Sequence, residues 1–179
     1  MLKDVLTDMT AEKHCINTAR LTLGAIRECD FENLISIFKC EEVSRTYMVP
    51  DMKSEEEEHM LFSTLFNLSE RSDRYVYGIF LGDKLIGIMN DTDISGTQIE
   101  LGYALHPAYF SNGYMTEALS AMIDYLLRDG FDEVICGAFD HNIASVRVMQ
   151  KCGMSKLDKI DEIDYRGKKH RCIYYSIKR

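Results

Sequence analysis

The chain has 179 residues, 46% of them hydrophobic, and no Pro-, Gly- or Ser-rich linker divides it, so a single domain with a sizeable core is expected. Its 21 Lys and Arg against 29 Asp and Glu leave a net charge of -8 without a dense basic stripe, which argues against general nucleic-acid binding. The acidity suits a cationic small substrate and equally a soluble surface.

Cys15, Cys29, Cys40, Cys136, Cys152 and Cys172 form no CxxC pair and no metal-ligand spacing. No apolar run follows the opening MLKDVLTDMT, so neither a signal peptide nor a membrane span is expected, and reduced thiols in a cytoplasmic protein are the simplest reading.

Residues 1–17 are polar and unpatterned and read as an N-terminal extension or a loose first helix, ahead of a domain over 18–179. Ala19 to Ile26 alternates Leu21 and Leu23 with polar or small neighbours, as a strand does. Asp30 is placed to cap a helix carrying Phe31, Leu34, Ile35 and Phe38. Ser54 opens a second helix, with Glu57 completing a capping-box pattern and Met60, Leu61, Leu65 and Leu68 at helical spacing. Its acidic run, Glu55 to Glu58, either complements the helix dipole or steers a cationic substrate.

Arg74 to Leu81 and Lys84 to Asp91 read as a hairpin around Gly82-Asp83. Thr97 to Leu105 is a further strand, broken off at His106-Pro107, and Tyr114 to Arg128 is a long helix facing Ala118, Leu119, Met122, Ile123 and Leu126 inward. A strand over Asp132 to Ala138, a helix over Asn142 to Lys151, and a final strand pair turning at Arg166-Gly167 complete the chain. The order β-α-α-β-β-β-α-β-α-β-β describes an α/β protein with a mixed sheet.

The most informative stretch is LHPAYFSNGYMTEA, Leu105 to Ala118. A strand ends, a turn with Ser, Asn and Gly follows, and a helix begins at once, so unpaired backbone N–H groups point outward at the positive end of a helix. Gly113 permits positive φ and close approach of a phosphate, and Thr116 adds a hydroxyl. Many such turns bind nothing.

The longer string ELGYALHPAYFSNGYMTEAL resembles the phosphate-loop motif of the GNAT acetyltransferase superfamily, nearest its RimJ/RimL-like branch, which acetylates ribosomal-protein N-termini. DHNIASVRVMQKCGM, Asp140 to Met154, is similar to that family's Asn-x-x-Ser-x-Arg-Val helix, and TARLTLGAI to its first strand. The resemblance spans roughly residues 18–178 and implies a mostly antiparallel sheet with one splayed parallel strand pair, flanked by helices. It implies acetyl-CoA as acetyl donor, lying where the strand ending at Leu105 parts from the strand over Asp132 to Ala138. Backbone groups of Tyr103 and Leu105 would pair with its pantetheine amides, and Asn142 would hydrogen-bond the same arm. N–H groups of Phe110, Ser111, Asn112, Gly113, Tyr114 and Met115 would hold the pyrophosphate, with Thr116 beside them. The chain departs from the family's usual Gln/Arg-x-x-Gly-x-Gly/Ala loop by keeping one glycine and lacking a lysine found in the RimJ/RimL form.

Transfer to an amine requires a neutral nitrogen. Deprotonation at neutral pH costs roughly 4–5 kcal/mol for a lysine-like amine of pKa ~10.4, and about 1 kcal/mol for an α-amine of pKa ~7.7–8.0. Glu100 is the candidate base, acting through water, and is otherwise an exposed strand carboxylate. Glu117 competes, although its place in a first helical turn suits dipole compensation. The slot that holds an acidic tyrosine in many family members is Met149 here, which cannot donate a proton, while Ser145 matches the serine given that work in the RimL-like branch. Ser145 is equally readable as a helix-packing serine. His106 is a weaker base candidate, Arg147 and Lys151 either meet outer phosphates of the cofactor or decorate a solvated face, and the five histidines lie too scattered for a metal site.

The expected reaction is acetyl transfer from acetyl-CoA to a primary amine, an N-terminal α-amine, amino acid or small molecule, by direct attack in a ternary complex. The alternative is a catalytically weak acyl-CoA-sensing module of the same fold. The acceptor pocket is expected between Cys40 and Ser54 and the final hairpin, lined by Arg45, Tyr47 and Met48. The expected partner is a small-molecule or peptide amine, with neither nucleic acid nor membrane involved, and a homodimer is admitted.

Overall fold

The computed structural model describes residues 14–179, so most of the expected N-terminal extension, residues 1–13, lies outside it. One eight-stranded sheet organises these residues in the order β1-β2-β3-β4-β5-β6-β8-β7. Its strands are β1 (Ile16–Asn17), β2 (Thr22–Gly24), β3 (Tyr77–Leu81), β4 (Lys84–Ser95), β5 (Gln98–Leu105), β6 (Glu133–Phe139), β7 (Ser155–Tyr165) and β8 (Lys168–Lys178). The helices are α1 (Phe31–Lys39), α2 (Glu41–Ser44), α3 (Glu55–Ser69), α4 (Tyr114–Asp129) and α5 (Ile143–Lys151). β5 and β6 are parallel, and the other neighbouring pairs are antiparallel.

Helices cover both faces. Ala118, Leu119, Met122, Ile123 and Leu126 of α4 pack on Ile79, Ile86, Ile99, Leu101 and Val134. On the other face, Leu34, Ile37 and Phe38 of α1 and Phe62 of α3 pack on Phe80, Leu85, Ile88 and Ala104. Alternation along each strand feeds both layers. The Met-containing stretch of α4 is core, with Met115 and Met122 buried.

Several local expectations change. Ala19 and Arg20 are not strand: the Thr18 N–H donates to the Leu21 carbonyl (2.9 Å) and the Leu21 N–H to Thr18 Oγ1 (2.8 Å), a tight turn joining β1 to β2. Asp30 does not cap α1, because its carboxylate instead accepts Arg27 N–H, Nε and Nη2, each at 2.9 Å. A bidentate charge-assisted pair outcompetes a single cap bond. At α3 the Ser54 side chain does accept from Glu57 N–H (3.3 Å), while the Glu57 carboxylate reaches back to Lys53 N–H rather than Ser54. β3 begins at Tyr77, not Arg74, because Asp91 Oδ1 takes the Tyr75 N–H (2.9 Å) and its Oδ2 takes Arg74 Nε (2.7 Å).

Candidate functional site

The site begins where two parallel strands part. β5 and β6 pair from Gln98–Glu133 to Leu101–Cys136 and no further. Beyond that point β5 stays with β4 as far as Leu105, and β6 stays with β8 as far as Phe139. The separated ends open a cavity of about 690 Å³ that borders Glu100 to Leu105, Gly137 to Phe139, Tyr109 to Ser111 and Gly113 to Thr116.

At one end lies the turn into α4. Pro107–Tyr109 form a 3-10 turn capped by His106, Phe110 is extended, Ser111 has φ 63° and Gly113 φ 78°. The first α-helical bond runs from Glu117 N–H to the Gly113 carbonyl (3.0 Å), and no side chain caps the N-terminus of α4. The leading N–H groups of a 16-residue helix are therefore left to a ligand at the positive end of its dipole. Of the turn residues Phe110 to Thr116, Asn112 alone does not border the cavity. Its amide nitrogen donates to the Tyr109 (3.3 Å) and Phe110 (3.0 Å) carbonyls, which braces the turn from within.

Arg20, which sequence reasoning passed over, holds this turn from outside. Its Nη1 donates to the Asn112 carbonyl (3.0 Å), its guanidinium pairs with Glu117 (2.7 Å), and it lies 4.5 Å from the Tyr114 ring centroid. Burial raises the Glu117 carboxyl, but bonds from Thr18 and Arg20 outweigh it and leave the pKa lowered. Glu117 is thus an ion-pair partner of the turn.

Glu100 occupies the opposite face. Alternation on β5 sends Glu100 and Gly102 to the side of α1 to α3, and Leu101, Tyr103 and Leu105 to the side of α4 and α5. Half-buried, Glu100 accepts from Thr92 Oγ1 (3.2 Å), and its pKa is raised by burial, assisted by Asp93 and Asp161 and opposed by Thr92 and Lys159. Thr92 is the extra residue of a bulge in β4 between Asp91 and Asp93, which turns its hydroxyl toward β5. Gly102 keeps the adjoining floor open, since a Cβ there would meet Thr92, Asn90 and Tyr47 at 3.2–3.5 Å. The Tyr47 hydroxyl donates to Asn90 Oδ1. Glu42 also borders this end, whereas Arg147 and Lys151 border the end beside α4. The cavity is therefore anionic toward Glu100 and cationic toward the turn.

Ser145 and Tyr103 meet in pairwise contact: Ser145 Oγ donates to the Tyr103 hydroxyl, and that hydroxyl donates to the Ser145 carbonyl, both at 3.3 Å. Burial pushes the Tyr103 phenol well up, so it stays protonated. Asn142 is the N-cap of α5, its Oδ1 accepting from Ser145 N–H (3.2 Å), and the residue borders the cavity. Asn142→Asp is expected to keep the cap and weaken CoA binding, whereas Asn142→Ala loses both and lowers stability by about 1 kcal/mol. Calorimetric CoA titration alongside thermal melts separates the two effects.

Met149 is fully buried in the core. His106 is not at the cavity: its Nδ1 accepts from Ala108 N–H (3.2 Å) and its Nε2 faces Cys40 Sγ at 3.9 Å. Of the expected acceptor residues, Tyr47 and Met48 line the cavity, but Arg45 turns away to pair with Glu41. Asn90 and Thr92 line it unannounced, because nothing in their local sequence separates them from ordinary strand residues, and Cys172 and Tyr174 line it from the final hairpin. Among the described residues no group of His, Cys, Asp and Glu is placed to hold a metal ion, and no helix is long and apolar enough to cross a membrane.

The chain is similar to known proteins in sequence and in fold. The chain is 27% identical over 168 residues to the uncharacterized N-acetyltransferase YoaA of Bacillus subtilis (strain 168), covering 90% of this chain and 95% of that protein. Its fold superposes on RimL, the ribosomal L7/L12 alpha-N-protein acetyltransferase solved with coenzyme A, with a TM-score of 0.81 at 20% identity, over 92% of this chain and 98% of that one. A GNAT-family acetyltransferase from Bacillus anthracis gives 0.79 at 22% identity, over 92% and 98%. The Acetyltransferase (GNAT) domain profile matches residues 20–155, a span that includes both parting strands, the turn and α5. The chain belongs to the GNAT acetyltransferase family.

Proposed function

We propose that this protein transfers an acetyl group from acetyl-CoA to a primary amine by direct attack within a ternary complex. The observation that carries this reading is that one cavity passes through the β5–β6 gap, joining uncapped helix N–H groups on one face to Glu100 on the other. The residues fit a CoA thioester: the N–H groups of Gly113 to Thr116 suit its pyrophosphate, and the free edge of β5 from Gly102 to Leu105 suits its pantetheine amides. Acetyl-CoA supplies an activated thioester carbonyl.

This chain supplies position and proton handling. Glu100, kept basic by burial, accepts the ammonium proton of the acceptor, directly or through water. Asn142 orients the pantetheine arm. The Ser145 and Tyr103 hydroxyls stand on the cofactor side, where the Ser145 hydroxyl leaves Tyr103 to give the departing sulfur a proton and takes one back from solvent. A covalent acyl-cysteine route is disfavoured, because burial raises the thiols of Cys172 and Cys40, and those of Cys136 and Cys152 (the latter to about 11), and a thiol rather than a thiolate is a poor nucleophile. The anionic end of the cavity favours a cationic acceptor, either a small-molecule amine or a chain N-terminus.

Purified protein incubated with acetyl-CoA and a panel of small amines, amino acids and N-terminal peptides tests the reading. Release of CoA that depends on an added amine supports it. Tight acetyl-CoA binding with no amine-dependent release across the panel overturns it in favour of a sensing module.

A further inference from the structure

One side chain of β5 crosses the gap that opens where β5 and β6 part. Leu101 is the last residue of β5 paired to β6, and Tyr103 is the next on its strand to face the layer of α4 and α5. Its phenol reaches the first turn of α5, where the hydroxyl donates to the Ser145 carbonyl and accepts from Ser145 Oγ, both at 3.3 Å. The remaining polar group of Ser145, its N–H, goes to Asn142 Oδ1 at 3.2 Å. Tyr103, Asn142 and Ser145 all line the cavity, so each polar group of this serine is held by the cavity's own wall.

The two hydroxyls are not equivalent. The phenol commits its single proton to the Ser145 carbonyl, so toward Ser145 Oγ it is an acceptor only. Burial pushes the Tyr103 phenol well up, and the bond with Ser145 offsets this only in part. A phenolate is thus inaccessible, and Tyr103 does not give the proton away itself. The serine hydroxyl is held more loosely. Its 3.3 Å bond is longer than the ~2.7–2.8 Å usual between hydroxyls, so it turns readily to a stronger acceptor such as a thiolate.

The sequence of α5 shows why this hold matters. Met149, one turn on from Ser145, is fully buried in the core and carries no proton to give. Proton donation therefore rests on a short side chain that, left alone, spreads over three staggered rotamers. The phenol selects one of them.

We infer that Tyr103 is a positioning residue for acetyl transfer, its hydroxyl fixing the Ser145 side chain in the rotamer from which the departing sulfur is protonated. The inference rests on the acetyl-transfer reading. Because Tyr103 acts through Ser145, its contribution to the rate vanishes once the serine hydroxyl is gone.

The test compares wild type with Tyr103→Phe, Ser145→Ala and the double variant. The probe reaction is single-turnover acetylation of a short peptide with a free α-amine, or of a small primary amine where the peptide is refused. Tyr103→Phe keeps the ring packed and is expected to lower this rate about tenfold, with coenzyme A affinity by calorimetry unchanged. Ser145→Ala lowers the rate about 10²-fold, and adding Tyr103→Phe to it has no further effect. A readout on the unloaded protein accompanies these. Amide exchange at residue 145 rises about tenfold in Tyr103→Phe, which loses the carbonyl contact, and holds in Ser145→Ala, which keeps it. Should Tyr103→Phe fail to fold, Tyr103→Leu carries the same readouts. Losses that multiply in the double variant, or a Tyr103→Phe protein unchanged in both rate and exchange, overturn the positioning role alone. Wild-type protein silent toward the peptide and toward small amines overturns the acetyl-transfer reading and this inference with it.

Discussion

Glu100→Gln is expected to lower kcat about 10²-fold toward lysine-like amines and far less toward α-amines, the difference expected of a general base. The reasoning lies in the acceptor: a lysine-like ammonium must give up a proton at a cost of roughly 4–5 kcal/mol, an α-ammonium about 1 kcal/mol. Glutamine preserves shape and the bond from Thr92, so acetyl-CoA binding and thermal stability should hold. Equal losses for both amine classes would remove Glu100 from the proton path.

The pH profile offers a second readout. Burial raises the Glu100 pKa above its ordinary value, so its basic form is populated only as pH climbs past that raised value. With a weakly basic arylamine, already neutral in acid, kcat/KM should rise with pH along a limb displaced above the usual carboxylate range. Glu100→Gln should flatten that limb, because the limb belongs to this carboxyl and not to the amine.

Gly113→Val is expected to weaken acetyl-CoA binding about 10²-fold, since a β-branched residue at positive φ forces the turn out of shape by about 1–3 kcal/mol. Space is not the obstacle. A Cβ at Gly113 would meet only Arg20 Nη2, at 3.5 Å, so the effect comes from φ 78° itself. Ser111 provides the contrast, because it already holds φ 63° with a side chain. Ser111→Gly should relieve that conformation, raise stability by about 0.5–1 kcal/mol and leave acetyl-CoA binding near wild type. Binding by calorimetry and melting by circular dichroism check both substitutions. Unaltered affinity in a folded Gly113→Val protein would displace the pyrophosphate from this turn.

The turn was legible from sequence because its chemistry is contiguous: a strand end, a glycine and a helix start within Leu105 to Thr116 are enough to expose N–H groups. Glu100 was legible for a related reason, standing on the strand that leads into the turn. Where the reading failed, a nearby competitor had won. Asp30 fits the pattern of a helix cap, but Arg27 takes its carboxylate through three bonds. His106 sits at a strand end beside the turn, yet capping a 3-10 turn commits its ring away from the cavity.

Periodicity, turn residues and one contiguous motif were sufficient for the mixed α/β order, the glycine turn into α4 and the strand that carries Glu100, because each depends on residues close along the chain. The parting of β5 from β6 after Leu101, the placing of Glu100 and Ser145 on opposite faces of one gap, the Arg20 brace, and the contacts of Tyr165 with the Ser44 carbonyl and of Arg166 with Asp51 come from contacts between distant segments. Local pattern carries no information about which distant residue will arrive, since a strand position reads alike whether its neighbour is core, solvent or a substrate.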